Sequence, residues 1–211
     1  MQFNILKFIR ENDIELVIFD IDGTIKDLYR EHQTALIEAL KALNILNTKR
    51  AKFALKLNNF GMGFFRIGCL PTNVLMQKLL IWIMSVVTFS DYKELRNLYY
   101  LNYPDKPILF EDMKQEIFSL SPDIKTVLAS TNKYTLNIKQ EICKVFCVEE
   151  PRKKIYKDII EGENVPFNKV LIVGDNFFDD YLPAKTLKCN VHIVNMYNSR
   201  IKKKLLKKIQ K

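Results

Sequence analysis

Short runs rich in apolar residues, each ending abruptly at polar residues, recur along the chain. Such runs occupy residues 15–20, 124–129 and 169–173, and weaker ones occupy 145–148 and 190–195. They are typical of strands buried on both faces of a parallel sheet. Stretches with apolar residues at helical spacing lie between them. This alternation predicts an α/β protein whose parallel sheet is covered by helices.

Helical periodicity predicts most of the remaining chain. The predicted helices are 2–11, 30–44, 49–57, 72–88, 91–102, 110–120, 134–143, 153–162 and 180–188. A loop is expected at 58–71, where glycines alternate with aromatic residues, and this loop is the candidate segment for contact with a substrate.

The long helical stretch between the first and second strands predicts the domain organisation. Residues 1–25 and 108–211 would form the α/β core, and residues 26–107 a helical insertion over the carboxyl ends of the strands. Ligands bind at that edge of open α/β sheets.

Polar side chains follow three of the predicted strands. They are Asp20 and Asp22, Ser130 and Thr131, and Asp175 with Asp179 and Asp180. Strand geometry would place Asp20 and Asp22 on the same side, where their charges repel each other unless a cation or proton lies between them. A divalent metal ion and a nucleophilic carboxylate would explain both residues.

Composition narrows the class of protein. The chain has 211 residues, of which 48% are apolar and 27% charged, which is an ordinary globular balance. Its four cysteines include no CxxC pair, so neither a zinc ribbon nor a disulfide framework is expected. Reduced thiols favour a cytoplasmic protein. Two histidines are too few for a histidine-built metal site.

The formal charge of +9 is concentrated at one end. Residues 200–211 carry seven basic side chains and no acidic one, which leaves +2 for the rest. This tail is interpreted as a terminal helix with solvated lysines, and contact with an anionic surface is the alternative.

The apolar run 79–89 is about half the length of a membrane span. No nucleic-acid partner is expected, and the chain would be a monomer or homodimer.

Three of these motifs, in this order, resemble the haloacid dehalogenase-like (HAD) superfamily. Asp20-Ile21-Asp22-Gly23-Thr24 is similar to its first motif, residues 127–133 to its second, and residues 171–180 to its fourth. The resemblance spans nearly the whole chain. It implies a Rossmann-like core with a helical C1-type cap after the first strand. It also implies a magnesium-dependent phosphatase that acts on a small phosphorylated metabolite.

The resemblance assigns a role to each motif residue. Asp20 would be the nucleophile that forms an aspartyl-phosphate, and Asp22 the general acid and then the base. Mg²⁺ would be held by Asp20, by the Asp22 carbonyl and by Asp175, while Asp180 orients a water on the metal, with Asp179 as the alternative.

Further residues of the predicted site bind the substrate. Gly23 would allow the chain to turn, and Thr24 would brace that turn. Thr131 would donate to a phosphoryl oxygen, with Ser130 as the neighbour that could take its place. The remaining two are Asn132, which would shape the loop, and Arg66, which would meet an anionic group.

The third motif departs from the family pattern. Many relatives have a Lys-Pro pair there, but here Glu150 precedes Pro151. The basic residues that follow are Arg152, Lys153 and Lys154. Lys153 is the predicted cation beside the phosphate, although the sequence does not fix the helix phase.

Two other functions stay open at this point. A phosphomutase of the same superfamily would share all the motifs. A catalytically silent binding domain would explain the altered third motif, but not the repelling carboxylates. A hydrolytic dehalogenase is less favoured, since it uses no metal and does not need Asp22.

Overall fold

A computed structural model of the protein describes residues 5–66, 74–120, 123–131 and 144–194, except for the side chains of 62–66 and 74–77. A five-stranded parallel sheet forms the core, in the order β3-β2-β1-β4-β5. Its strands are β1 Leu16–Asp20, β2 Lys125–Ser130, β3 Lys144–Cys147, β4 Val170–Gly174 and β5 Asn190–Ile193. The predicted α/β fold with a parallel sheet is therefore confirmed.

Strand β1 lies at the centre because every one of its residues is buried and apolar up to Asp20. Its alternate side chains point to opposite faces, so it contributes to two separate cores. Val17 and Phe19 join one cluster, while Leu16 and Ile18 join the other. Asp20 pairs in register with Ala129 of β2, which brings the ends of these two strands together.

The chain divides into two compact units, Met1–Lys26 with Leu109–Lys211, and Asp27–Ile108. These boundaries lie one residue from the predicted ones. In the first unit the sheet is accompanied by α1 Ile5–Glu11, α6 Glu111–Ser119, α7 Arg152–Glu163 and α8 Leu182–Thr186. The second unit contains α2 Leu28–Ala42, α3 Lys49–Arg66, α4 Val74–Thr88 and α5 Tyr92–Leu101.

The helical unit has its own core, in which Leu36, Ile81 and Tyr99 are fully buried. It also encloses the imidazole ring of His32, which has two polar neighbours. The ring nitrogens of His32 lie 2.8 Å from the hydroxyl of Tyr99 and 3.0 Å from the Asn58 carbonyl oxygen. Burial lowers the pKa of His32, so the neutral ring is favoured there.

Helix α3 corrects one prediction, since it continues through Arg66 instead of ending at residue 57. The expected loop is therefore helical over residues 58–66. Asn58 is buried two turns after Ala51, so it continues the inward face of the helix. A Cβ at Gly61 would lie 3.1 Å from the Leu80 side chain, which identifies Gly61 as a helix-packing glycine and not a hinge. Residues 67–71 and the predicted helix 134–143 lie outside the described residues.

Candidate active site

The turn after β1 brings the first motif to the edge of the sheet. Gly23 has φ +86°, a left-handed conformation that favours glycine. Its amide donates to the carbonyl of Lys26 at 3.0 Å, and the amide of Lys26 donates to the carbonyl of Ile21 at 2.8 Å. A Cβ at Gly23 would lie only 2.2 Å from a carboxylate oxygen of Asp175. Glycine is needed at this position both for the turn and for the space occupied by Asp175.

Three carboxylates meet at this edge. Asp20, Asp175 and Asp180 each place an oxygen within 4.8 Å of the others. Burial raises the pKa of Asp20 well above its usual value; Arg152 offsets part of this rise, and Asp180 adds to it. Burial and the neighbouring Asp180 likewise raise the pKa of Asp175. Such a cluster is costly to ionise without a counter-cation.

Asp180 is held more firmly than its neighbour Asp179. Its carboxylate is fully buried and accepts hydrogen bonds from the amide of Asn176 at 2.9 Å and from the hydroxyl of Tyr156 at 2.5 Å. A Cβ at Gly174 would lie 2.2 Å from Asp180 Oδ2. The structure therefore brings Asp180 into the cluster, while Asp179 is only partly buried.

Asp22 is buried between a hydroxyl and an ammonium group. Ser130 Oγ donates to Asp22 Oδ2 at 3.0 Å, and Lys26 Nζ lies 3.8 Å from Asp22 Oδ1. Lys26 is only 3% exposed. The sequence predicted Ser130 as an alternative to Thr131 but did not predict Lys26, because a single lysine after a turn belongs to no recognisable motif. Thr24 Oγ1 donates to Asp20 Oδ2 at 3.4 Å, and its expected role in bracing the turn stays a prediction.

The cation beside Asp20 is Arg152 and not the predicted Lys153. One guanidinium nitrogen of Arg152 lies 2.5 Å from Asp20 Oδ1, and another donates to the carbonyl of Ala129 at 3.3 Å. Lys153 is exposed, and Lys154 pairs with Glu150 at 2.9 Å. Helix α7 begins at Arg152 immediately after Pro151, so the first helical residue faces the sheet edge and the next faces solvent.

Asp20 Oδ1 combines deep burial with open acceptor capacity. It receives no aligned hydrogen bond from any described residue, despite the short ion pair with Arg152. A buried carboxylate oxygen in this state has lone pairs left for a metal ion or for attack on an electrophile.

The remaining predicted residues are only partly described. Thr131 directly follows β2 and is partly buried. Asn132 lies outside the described residues, and Arg66 ends α3 without a described side chain. Their expected roles stay predictions.

The donor set fits a hard divalent cation such as Mg²⁺. All the clustered ligand atoms are carboxylate oxygens, which Mg²⁺ prefers. Among the residues that the structure describes, the site contains four carboxylates, Asp20, Asp22, Asp175 and Asp180, and two cationic side chains, Lys26 and Arg152. When all four carboxylates are ionised, a divalent cation would neutralise the negative charge that the two cationic side chains leave uncompensated.

Replacing Asp180 with asparagine should weaken magnesium binding about 10- to 100-fold, because the new NH₂ group would face the amide of Asn176 or the hydroxyl of Tyr156. Isothermal titration calorimetry with MgCl₂ measures this. Asp179→Asn is the matched control and should bind as the parent does. Equal losses in both variants would contradict the assignment.

The sequence profile of haloacid dehalogenase-like hydrolases matches residues 14–187. The chain belongs to this family of hydrolases. No curated protein sequence matches it.

Solved structures of several hydrolases share the fold at low identity. The HAD-hydrolase YfnB of Bacillus subtilis, solved with magnesium, has a TM-score of 0.59 at 15% identity, with 86% of this chain and 87% of that chain covered. A predicted phosphoglycolate phosphatase of Haemophilus somnus has a TM-score of 0.57 at 14% identity, covering 84% of each chain. L-2-haloacid dehalogenase of Xanthobacter autotrophicus has a TM-score of 0.56 at 18% identity, covering 86% and 77%.

Proposed function

We propose that the protein is a magnesium-dependent phosphatase that hydrolyses a small phosphorylated metabolite through an aspartyl-phosphate. The observation that carries this proposal is the convergence of Asp20, Asp175 and Asp180 beside Arg152. Asp22 adds a fourth carboxylate held by Ser130. A site of this kind has a nucleophile, an acid–base group, a metal cradle and a fixed cation.

The chain's own residues account for both halves of the reaction. Asp20 attacks phosphorus and forms an O–P bond, while the P–O bond to the leaving group breaks and Asp22 gives that oxygen a proton. Asp22 then takes a proton from water, whose oxygen attacks phosphorus and frees Asp20 with release of inorganic phosphate. Arg152 holds the Asp20 carboxylate and neutralises charge on the phosphoryl oxygens.

Magnesium, held by Asp20, Asp175 and the carbonyl of Asp22, would supply further charge neutralisation at the phosphoryl group. Asp180 would support that metal from its anchored position. Lys26 and Ser130 act on Asp22, since each contacts a different one of its two carboxylate oxygens.

The same geometry favours a phosphatase over a dehalogenase. A dehalogenase uses one nucleophilic carboxylate and no metal, and it does not need Asp22. A silent binding domain is disfavoured for a related reason, since buried repelling carboxylates give no benefit to a site without a cation. The cap role of the helical unit and the cytoplasmic location stay part of the proposal.

Purified protein should release phosphate from p-nitrophenyl phosphate in the presence of MgCl₂. Excess EDTA should reduce that rate to a few per cent of its value or less. Colorimetric phosphate detection measures this. Chloride release from L-2-chloropropionate in EDTA is the competing assay, and a positive result there without phosphatase activity would replace the proposal by a dehalogenase. Conversion of a sugar 1-phosphate to its 6-phosphate would identify a mutase instead.

A further inference from the structure

Exposed apolar side chains line two neighbouring helices of the helical unit, and none of them belongs to the carboxylate cluster. We name this surface the α3–α4 face. Its members are Phe53, Leu57 and Phe60 of α3 with Leu79, Trp82 and Val86 of α4. The spacing places each set on one stripe of its helix. Phe60 is 69% exposed and Trp82 52% exposed, which is unusual for large side chains in helices that also contribute to a core.

The two stripes lie on the same side of the helix pair. Gly61 approaches Leu80, and the Arg50 guanidinium lies 4.3 Å from the Phe89 ring centroid, so α3 and α4 run antiparallel side by side. The core sides of these helices are marked by Ala54 and Ile81, which are fully buried. The stripes therefore face outward together, away from the core of the helical unit.

The surface is large enough to be a binding site. An aromatic side chain has about 150–250 Å² of surface. Phe53, Phe60 and Trp82 are between 52% and 69% exposed, so together they leave about 400 Å² of aromatic surface in solvent. The aliphatic members of the face add to this. The largest apolar patch on a typical monomer has about this size and is often functional.

The charges around this face restrict its partner. Residues 39–90 contain no acidic residue. Within this stretch α3 and α4 carry five basic residues with described side chains, namely Lys49, Arg50, Lys52, Lys56 and Lys78. Two copies meeting through this face would bring these like charges together. Aromatic residues bordered by lysine and arginine instead match the interface of an anionic membrane, where rings enter the headgroup region and cations meet phosphate.

We propose that the α3–α4 face binds the surface of a membrane rich in anionic phospholipid. The contact is peripheral, with the rings at the level of the headgroups. None of the described helices has both the length and the hydropathy needed to cross a bilayer.

Trp82 is the single tryptophan of the sequence and lies on the face, so its fluorescence tests the proposal directly. Vesicles of 3:1 phosphatidylcholine and phosphatidylglycerol should shift its emission to shorter wavelength and protect it from acrylamide. Vesicles of phosphatidylcholine alone should give at least tenfold weaker binding, and 0.5 M NaCl should weaken the anionic case. No shift with the anionic vesicles, or equal binding to both, would overturn the proposal.

Variants separate this face from other surfaces in a vesicle sedimentation assay. The double variant Leu57→Gln, Phe60→Gln should lose at least tenfold in binding. Leu101→Gln with Phe118→Gln, at exposed apolar positions outside the face, is the matched control and should bind normally. A chain ending at residue 199 should keep binding, and loss only in that truncated chain would assign the contact to the basic tail and overturn the proposal. The proposal would also be overturned if the parent protein were a dimer and the double variant a monomer.

Discussion

Asp20→Asn should lower phosphatase turnover by about ten thousand-fold or more, because the amide cannot form the covalent phosphoryl intermediate. The variant should fold. Since the folded-state pKa of Asp20 is raised, the charged carboxylate costs free energy of folding at pH values above its ordinary pKa. Asparagine removes that cost, but it also removes the carboxylate that pairs with the buried guanidinium of Arg152. These two effects oppose each other, so the thermal midpoint of the metal-free protein at pH 7 should stay within a few degrees of that of the parent, as measured by circular dichroism.

The matched control for this variant is Asp13→Asn, an exposed carboxylate that pairs with the surface lysine Lys169. It should keep full turnover. Undiminished phosphate release by Asp20→Asn would exclude the covalent mechanism. In addition, acid quenching of the parent enzyme during turnover of a substrate with a radiolabelled phosphoryl group should trap about one covalently bound phosphate per chain. The Asp20→Asn variant should retain no such label.

Arg152→Met should reduce kcat about 100- to 1,000-fold, because it removes a fixed cation beside the nucleophile and the phosphoryl group. Lys153→Met, one position along the same helix, should change kcat less than about twofold since that side chain is exposed. Steady-state kinetics with p-nitrophenyl phosphate distinguishes the two.

Arg152→Lys refines this test. A lysine keeps the charge but loses the fork that reaches both Asp20 and the carbonyl of Ala129, so partial recovery is expected. A large loss in Lys153→Met with little loss in Arg152→Met would reverse the assignment and return the role to the residue that the sequence favoured.

The sheet and the acidic cluster were predictable because they depend on local patterns. Apolar runs that end at Asp20, Ser130 and Gly174 define strands of a parallel sheet, and parallel strands end at a shared edge. The resemblance to the HAD superfamily is also confirmed. Residues at strand ends therefore gather without any knowledge of the helices between them.

Helix phase and helix ends were not predictable in the same way. Lys153 and Arg152 differ by about 100° around α7, and only the start of the helix after Pro151 decides which faces the sheet. Helix α3 passes through Gly61 because packing against Leu80 outweighs the low helix propensity of glycine. Lys26 becomes a site residue through burial, which its sequence neighbours do not reveal.

The parallel sheet also has a consequence for the order of events during synthesis. Its middle strand is made first, yet Ser130 lies 108 positions after Asp22, to which it donates, and Asp175 comes later still. A nascent chain on the ribosome therefore carries Asp20 and Asp22 long before their partners exist. The carboxylate cluster can form only when the strand before Asp175 has left the exit tunnel and docked, so the proposed reaction has to wait for nearly the whole sheet.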